Sequence, residues 1–288
     1  MSQPFADIVT TAQHAEATGW DRLYLADHFM SNDSERSGVG ECWTSLAALG
    51  AVVPRLRLGS LVSGNTYRHP AVLAKMATTI DHITGGRVVL GMGAGWQVNE
   101  HEAFGIELLP PGQRLKQFAE ACAVLHSLFR ESRTTFSGDY YNLVDAPLEP
   151  RPVQSPLPLL IGGAGEKVML GIVARYADEW NGWGTPDVLR HKIAVLAEHC
   201  ASIGRDPGEI HKSAQVLWVM EGENDASNPN MTPERTVSGS PSALAEAFEQ
   251  YAEAGVDELI IPDFNLGSMS DRLRIYDRFM NEVAADVH

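Results

Sequence analysis

Apolar and polar positions alternate along the chain in two rhythms. Short continuous apolar runs between turn residues read as buried strands, and longer stretches with an apolar residue every third or fourth position read as helices. The first helix covers Pro4 to Gly19, with Ile8, Ala12 and Ala15 in its stripe, a proline in its first turn and a glycine as its stop. Strands are predicted over Arg22–Ala26, Leu56–Val62, Val88–Leu90 and Leu159–Ile161, within Asp178–Trp183, and over Ile210–Met220 and Glu258–Ile261. Helices are predicted over Trp43–Val53, Pro70–Ile83, Gln113–Arg130, Glu166–Ala177, Pro186–Ile203, Pro241–Ala254 and Ser268–Val283. Thr134 to Leu143, centred on Ser137-Gly138-Asp139, reads as a hairpin outside this alternation. Arg151 to Pro158 is an extended proline-rich approach. Ser31 to Gly40, the segment with Glu100, His101 and Glu102, and the polar insertion Gly222 to Val237 read as loops.

Strand and helix in alternation make a parallel sheet, open or closed into a barrel. The residues just after the strands favour the barrel. Polar or glycine-rich clusters stand at Asp27-His28, Ser63 to Arg68, Gly93 to Trp96, Gly162 to Gly165 and Asn181 to Gly184. In a barrel all these ends meet on one face; in an open sheet they would spread along an edge. The expected fold is therefore α/β, a (β/α)8 TIM barrel, with residues 1–288 as one domain and insertions near 134–158 and 222–238. Seven strands are countable, not eight. The absent one should precede the first helix, where only Met1 to Gln3 lie.

Composition narrows the function. The formal net charge of −15 argues against nucleic acid or an anionic membrane as partner, because both need a basic face. Cys42, Cys122 and Cys200 are far apart and form no CxxC, so neither a disulfide framework nor a thiolate metal site is expected. Met1 to Thr11 is polar and lacks a signal-peptide core, and no apolar run has membrane-spanning length. A cytoplasmic enzyme with a small-molecule substrate is the expectation, and a homodimer is the candidate assembly.

The stretch from Gly85 to Trp96 carries the clearest chemistry. A short strand ends in glycines at alternate positions, where backbone N–H groups stand bare and a ligand can come close. Gly93-Ala94-Gly95 and Gly162-Gly163-Ala164-Gly165 both offer such donors. The second precedes a helix, whose amino end favours phosphate. Neither is a GxGxxG. His28, at a strand end, suits a proton acceptor or a hydrogen bond to a cofactor; the alternative is a histidine satisfied beside Asp27. Trp96 suits a pocket wall or plain core filling. Tyr67 and Arg68 suit a polyanionic ligand or a cap on the next helix, and Glu100 reads more readily as a solvated loop carboxylate than as a charge in the site mouth. No HExxH, GxSxG or GxxxxGK[ST] occurs.

At these residues the chain resembles the coenzyme F420-dependent oxidoreductase branch of the luciferase-like monooxygenase superfamily. The carriers, in order, are Leu25-Ala26-Asp27-His28-Phe29, Leu58 to Pro70, Gly91-Met92-Gly93-Ala94-Gly95-Trp96, Leu148 to Gln154, Ile161 to Gly165, and Arg175 to Asn181. The resemblance implies a luciferase-like TIM barrel that holds a flavin or deazaflavin at the carboxyl ends of its strands. It implies cofactor contact for Asp27, His28, Leu61, Val62, Ser63, Tyr67, Arg68, Gly93, Ala94, Gly95, Trp96, Gly162, Gly163, Ala164, Gly165 and Asn181, and a proton role for His28. Leu61-Val62-Ser63 match the place where the branch has a bulge with a non-proline cis peptide behind the deazaflavin ring; which bond is cis stays open. There are two departures. The family's first strand is missing, and Trp96 stands where the sugar-phosphate dehydrogenases of the branch carry a glutamate acid, which counts against glucose 6-phosphate chemistry. The implied activity is hydride transfer between F420 and an organic substrate. The alternatives are an FMN-dependent luciferase-like monooxygenase and a non-catalytic barrel that binds a flavin or a partner. No metal is implied.

Overall fold

The computed structural model describes residues 4–32, 39–223, 231, 236–264 and 266–287. Met1 to Gln3, where a first strand was expected, and residues 224–230 and 232–235 of the expected insertion lie outside the described residues. The chain divides into two compact units: residues 1–16, 20–162 and 175–178, and residues 17–19, 163–174 and 179–288.

In the first unit, α1 (Phe5–Thr18) leads to β1 (Arg22–Asp27), α2 (Cys42–Val52), β2 (Arg57–Gly64), α3 (Pro70–Thr84), β3 (Val88–Gly93), α4 (Val98–Phe104) and α5 (Pro111–Arg130). The hairpin β4 (Thr134–Ser137) and β5 (Asn142–Ala146) precedes β6 (Leu159–Gly162). The main strands run parallel in the order β1-β2-β3-β6. All six residues of β3 are buried, as befits a parallel strand covered on both faces. Gly91 is obligatory there: a Cβ would stand 2.0 Å from the Ser60 carbonyl oxygen. Local signals set the helix ends. His69 caps α3, Pro70 fills its first turn, and Gly85 closes it in the left-handed region (φ 66°). The second proline of Pro110-Pro111 starts α5, two residues before the predicted Gln113.

One expectation fails outright in this unit. The Glu100-His101-Glu102 segment is no loop but helix α4, stopped by Gly105 at φ 65°. Its faces are inverted. Gln97, Glu100 and His101 are buried, whereas Val98 and Phe104 are 53% and 57% exposed. Apolar periodicity could not find a helix that turns its polar residues inward.

In the second unit, α6 (Met169–Tyr176), β7 (Glu179–Trp183), α7 (Pro186–Ser202), β8 (His211–Gln215), β9 (Leu217–Met220), β10 (Thr236–Gly239), α8 (Pro241–Glu253), β11 (Glu258–Ile260) and α9 (Met269–Glu282) follow. The strands run parallel in the order β7-β8-β11. The predicted strand Ile210–Met220 breaks in two. Val216 N–H turns to the Ile260 carbonyl, and β9 leaves to pair with β10, which had read as the end of a polar insertion and the residues beyond it. The predicted start of α6 at Glu166 is corrected to Met169. Among the described residues β1 pairs with β2 alone and β11 with β8 alone, so each keeps one open edge.

Candidate active site

The carboxyl ends of β1, β2 and β3 gather most of the expected residues in the first unit. Asp27 closes β1 and is 1% exposed. Arg68, on the turn after β2, grips it with two donors, Nη1 to Oδ2 at 2.5 Å and Nη2 to Oδ1 at 3.1 Å, and also reaches Glu41. Burial pushes the Asp27 carboxyl up, against the pull of Arg68. Glu41 caps α2 through the Trp43 and Thr44 amides. Burial raises its carboxyl, but those bonds and the Arg68 charge together hold it below the usual range. The guanidinium is thus bound inward to two carboxylates. The next helix is capped by His69, so Arg68 neither caps it nor points a spare charge outward.

His28 comes next after Asp27. Its Nδ1 lies 2.7 Å from Glu100 Oε1, and its ring meets Trp96 edge-on at 5.8 Å between centroids. Glu100, fully buried, also accepts the Phe29 amide on Oε2 at 2.8 Å and the Tyr67 hydroxyl on Oε1. Burial raises the Glu100 carboxyl, yet the hydrogen bonds from Tyr67, His28 and Phe29 outweigh it and hold it below the usual glutamate range. Burial first, and then the Glu100 carboxylate, push the Tyr67 hydroxyl well above its usual value. The expectation of a solvated Glu100 is corrected: it sits on the inward face of α4. His101 on the same face lies 2.6 Å from the Gln97 carbonyl through Nδ1 and 2.8 Å from Thr66 Oγ1 through Nε2. The carbonyl can only accept, so Nδ1 carries the proton and Nε2 accepts from Thr66. Trp96 is 58% exposed, so it is not core filling.

The bond Leu61–Val62 is the cis peptide, and the β2–β3 register slips between Gly59 and Ser63, the place of the expected bulge. Ser63 is buried and accepts the Trp43 indole N–H at 2.8 Å. The Val62 side chain occupies the space above two of the expected glycines. A Cβ on Gly93 would stand 2.6 Å from it and one on Gly162 2.9 Å. These two glycines make room for Val62, a packing reason the sequence did not show. Ala94 is half-buried, and Gly95 turns at φ 85° against Thr66. Asn65, unforeseen, is 2% exposed, and neither amide atom has a well-formed hydrogen bond although Tyr141 stands near.

Gly163, Ala164, Gly165 and Asn181 belong to the second unit. Gly163 N–H donates to the Asn181 carbonyl at 3.1 Å, and its own carbonyl accepts the Trp180 indole at 2.7 Å. That amide is therefore not a bare donor, and with α6 beginning at Met169 the glycines do not abut a helix end. The Asn181 side chain donates to Ser213 Oγ at 3.0 Å. Elsewhere in this unit Glu179, His211 and Glu258 bring possible ligand atoms within 4.8 Å of one another. They lie at the amino-terminal halves of β7, β8 and β11, and the His211–Glu258 contact at 3.1 Å belongs to a network with Asp257 and Lys212.

Comparison with known proteins gives this arrangement its family. The luciferase-like monooxygenase profile matches residues 1–230. An F420-dependent glucose-6-phosphate dehydrogenase of Intrasporangium calvum is 34% identical over 317 aligned positions, covering 96% of this chain and 93% of that protein. An uncharacterized protein of Mycobacterium tuberculosis is 32% identical over 164 residues, and the match spans 57% of each chain. Among solved structures, an F420-dependent secondary alcohol dehydrogenase bound to an F420-acetone adduct superposes with a TM-score of 0.86 at 20% identity, covering 100% of this chain and 96% of that one. That likeness establishes the fold, the luciferase-like TIM barrel. The chain belongs to the luciferase-like monooxygenase family, in which its near-full-length relatives are F420-dependent oxidoreductases.

Proposed function

We propose that the protein is an F420-dependent oxidoreductase that passes a hydride between the deazaflavin and the carbon of a small alcohol or carbonyl compound. One observation carries this reading: His28 stands at a strand's carboxyl end with Nδ1 engaged by Glu100 and Nε2 without a partner among the described residues, beside the exposed Trp96. The residues suit a planar heterocycle. The exposed indole and the half-buried imidazole offer flat faces, and the buried Asn65 amide, without a well-formed hydrogen bond, has a donor and an acceptor of the kind a deazaflavin's carbonyl and N–H edge needs. Bound F420 supplies the two-electron acceptor carbon.

The chain's own residues would do the rest. His28 takes the hydroxyl proton on Nε2 as the carbinol C–H leaves as hydride, and returns it in the reverse direction. Trp96 walls the reacting pair from water. Asp27, fixed by Arg68, holds the end of β1 that carries His28. The relatives are named as F420-dependent dehydrogenases of glucose 6-phosphate and of secondary alcohols, the class of reaction this site suits. An indole at position 96 favours a less polar substrate than a sugar phosphate. With three free, buried cysteines, a reducing compartment such as the cytoplasm fits.

The test is a titration of purified protein with F420 and with FMN in both redox states, then turnover with propan-2-ol, cyclohexanol and glucose 6-phosphate. Tight F420 binding with alcohol-dependent reduction of the cofactor supports the proposal. FMN binding with oxygen consumption would move the protein to the monooxygenases, and binding without turnover of any of these substrates would leave a binding protein.

A further inference from the structure

We propose that Glu100 is the positioning residue of this site, fixing His28 as the Nδ1–H tautomer so that Nε2 faces the reacting atoms as the proton acceptor. The inference rests on the proton role proposed for His28, and adds a residue whose only link to the chemistry is through that imidazole.

Three hydrogen bonds carry it. Glu100 receives three donors: the Phe29 amide on one oxygen, and the His28 ring and the Tyr67 hydroxyl on the other. A backbone amide cannot accept, and a tyrosine hydroxyl turned toward a carboxylate oxygen donates. An ionised carboxylate accepts from all three; a protonated one could only donate to His28 Nδ1, a state disfavoured by the hydrogen bonds that hold this carboxyl below its usual range. Burying such a charge is costly unless it is fully hydrogen-bonded, and these bonds meet that condition. Facing this acceptor, His28 Nδ1 must carry hydrogen in the neutral ring as well as in the charged one. Nε2 is then the lone-pair nitrogen.

The same carboxylate binds two successive residues, His28 by its side chain and Phe29 by its backbone. Ring orientation and strand end are therefore fixed together. Tyr67, stacked on His101 at 5.2 Å, closes the third side and keeps the carboxylate from rotating. The other charges near this strand end, Asp27, Arg68 and Glu41, satisfy one another and leave Glu100 as the acceptor for the imidazole.

The experiment uses protein labelled with nitrogen-15 at histidine and loaded with F420. Long-range proton–nitrogen NMR reads each ring's tautomer, and H28A assigns the His28 signals. The wild type should show His28 as Nδ1–H. E100Q should lose that single state for a mixture, whereas Y67F, which keeps the carboxylate, should retain it. In turnover with an alcohol that the wild type oxidises, E100Q should lower kcat about 10- to 100-fold, less than the roughly 100- to 10,000-fold that the acid–base group itself contributes, with the F420 Kd changed less than about threefold. H28A/E100Q should be no slower than H28A, because two residues acting as one unit are not additive. A wild-type His28 in the Nε2–H form overturns the proposal whatever E100Q shows, and so does an unchanged tautomer in folded E100Q. If the tautomers behave as expected but H28A turns over at the wild-type rate, the proton role of His28 falls while the positioning by Glu100 stands.

Discussion

His28 and Arg68 are neighbours in the site with opposite jobs, and substitution should separate them. The His28 side chain is 25% exposed, and its removal leaves Glu100 with the Phe29 and Tyr67 bonds. H28A should therefore lower turnover about 100-fold or more with a smaller loss of stability than R68A, which steady-state kinetics and thermal melts will check. Arg68 holds a carboxylate that is almost wholly buried. R68A should cost about 3–5 kcal/mol, because it leaves Asp27 charged and unpaired. Its effect should also depend on pH. The folded-state value of Asp27 is already raised by burial, and loss of Arg68 raises it further. A carboxyl raised on folding favours the folded state at low pH, and that contribution is lost as pH rises through the folded value. The gap in melting temperature between R68A and wild type should therefore be smaller at pH 5 than at pH 8. An equal gap would mean that Asp27 is not the group left stranded. Asp27, His28, Tyr67, Arg68 and Trp96 were legible in the sequence because each stands just after a predicted strand. Glu100 was not, since an Asn-Glu-His-Glu run reads as solvated until the neighbouring turns bury it.

At the scale of elements, strand and helix order was readable wherever a face turned apolar residues inward, as in β3 and α3. It failed where that rule was broken. In α4 the polar residues are inside and Val98 and Phe104 outside, so the hydropathy pattern pointed the wrong way. The split of β8 from β9 was hidden because no glycine or proline marks the break at Val216; the tertiary pairing with β10 decides it. The β2 bulge gives a clean prediction. G93A would place a methyl group 2.6 Å from a Val62 methyl, so it should destabilise by about 1–3 kcal/mol, as overpacking does. V62A should restore part of that loss in the double variant. Chemical denaturation of the three proteins measures the coupling, and strictly additive losses would refute the contact. Gly163, by contrast, sits at φ 127° with Met169 3.2 Å from any added Cβ. A valine there would report backbone strain before it reported ligand binding.

At the scale of the molecule, the formal charge of −15 meets a cofactor whose tail is itself polyanionic. Long-range repulsion extends about 30 Å at 0.01 M ionic strength and about 8 Å at 0.15 M. The association rate of F420 should therefore rise as salt is added over that interval, the reverse of steered binding, and stopped-flow fluorescence will show it. A falling rate would locate a basic entry path. Among the described residues no helix is long and apolar enough to cross a membrane. The Val62 contact has a consequence for recombination between relatives. Residues 62, 93 and 162, from three strands, share one volume, and a side chain at either glycine position must be matched by a smaller one at position 62. A chimera that joins two parents anywhere between Val62 and Gly162 inherits that volume from both and risks filling it twice. One that keeps the whole span from a single parent takes it intact. Crossover points outside 62–162 should therefore yield folded hybrids more often than those within it.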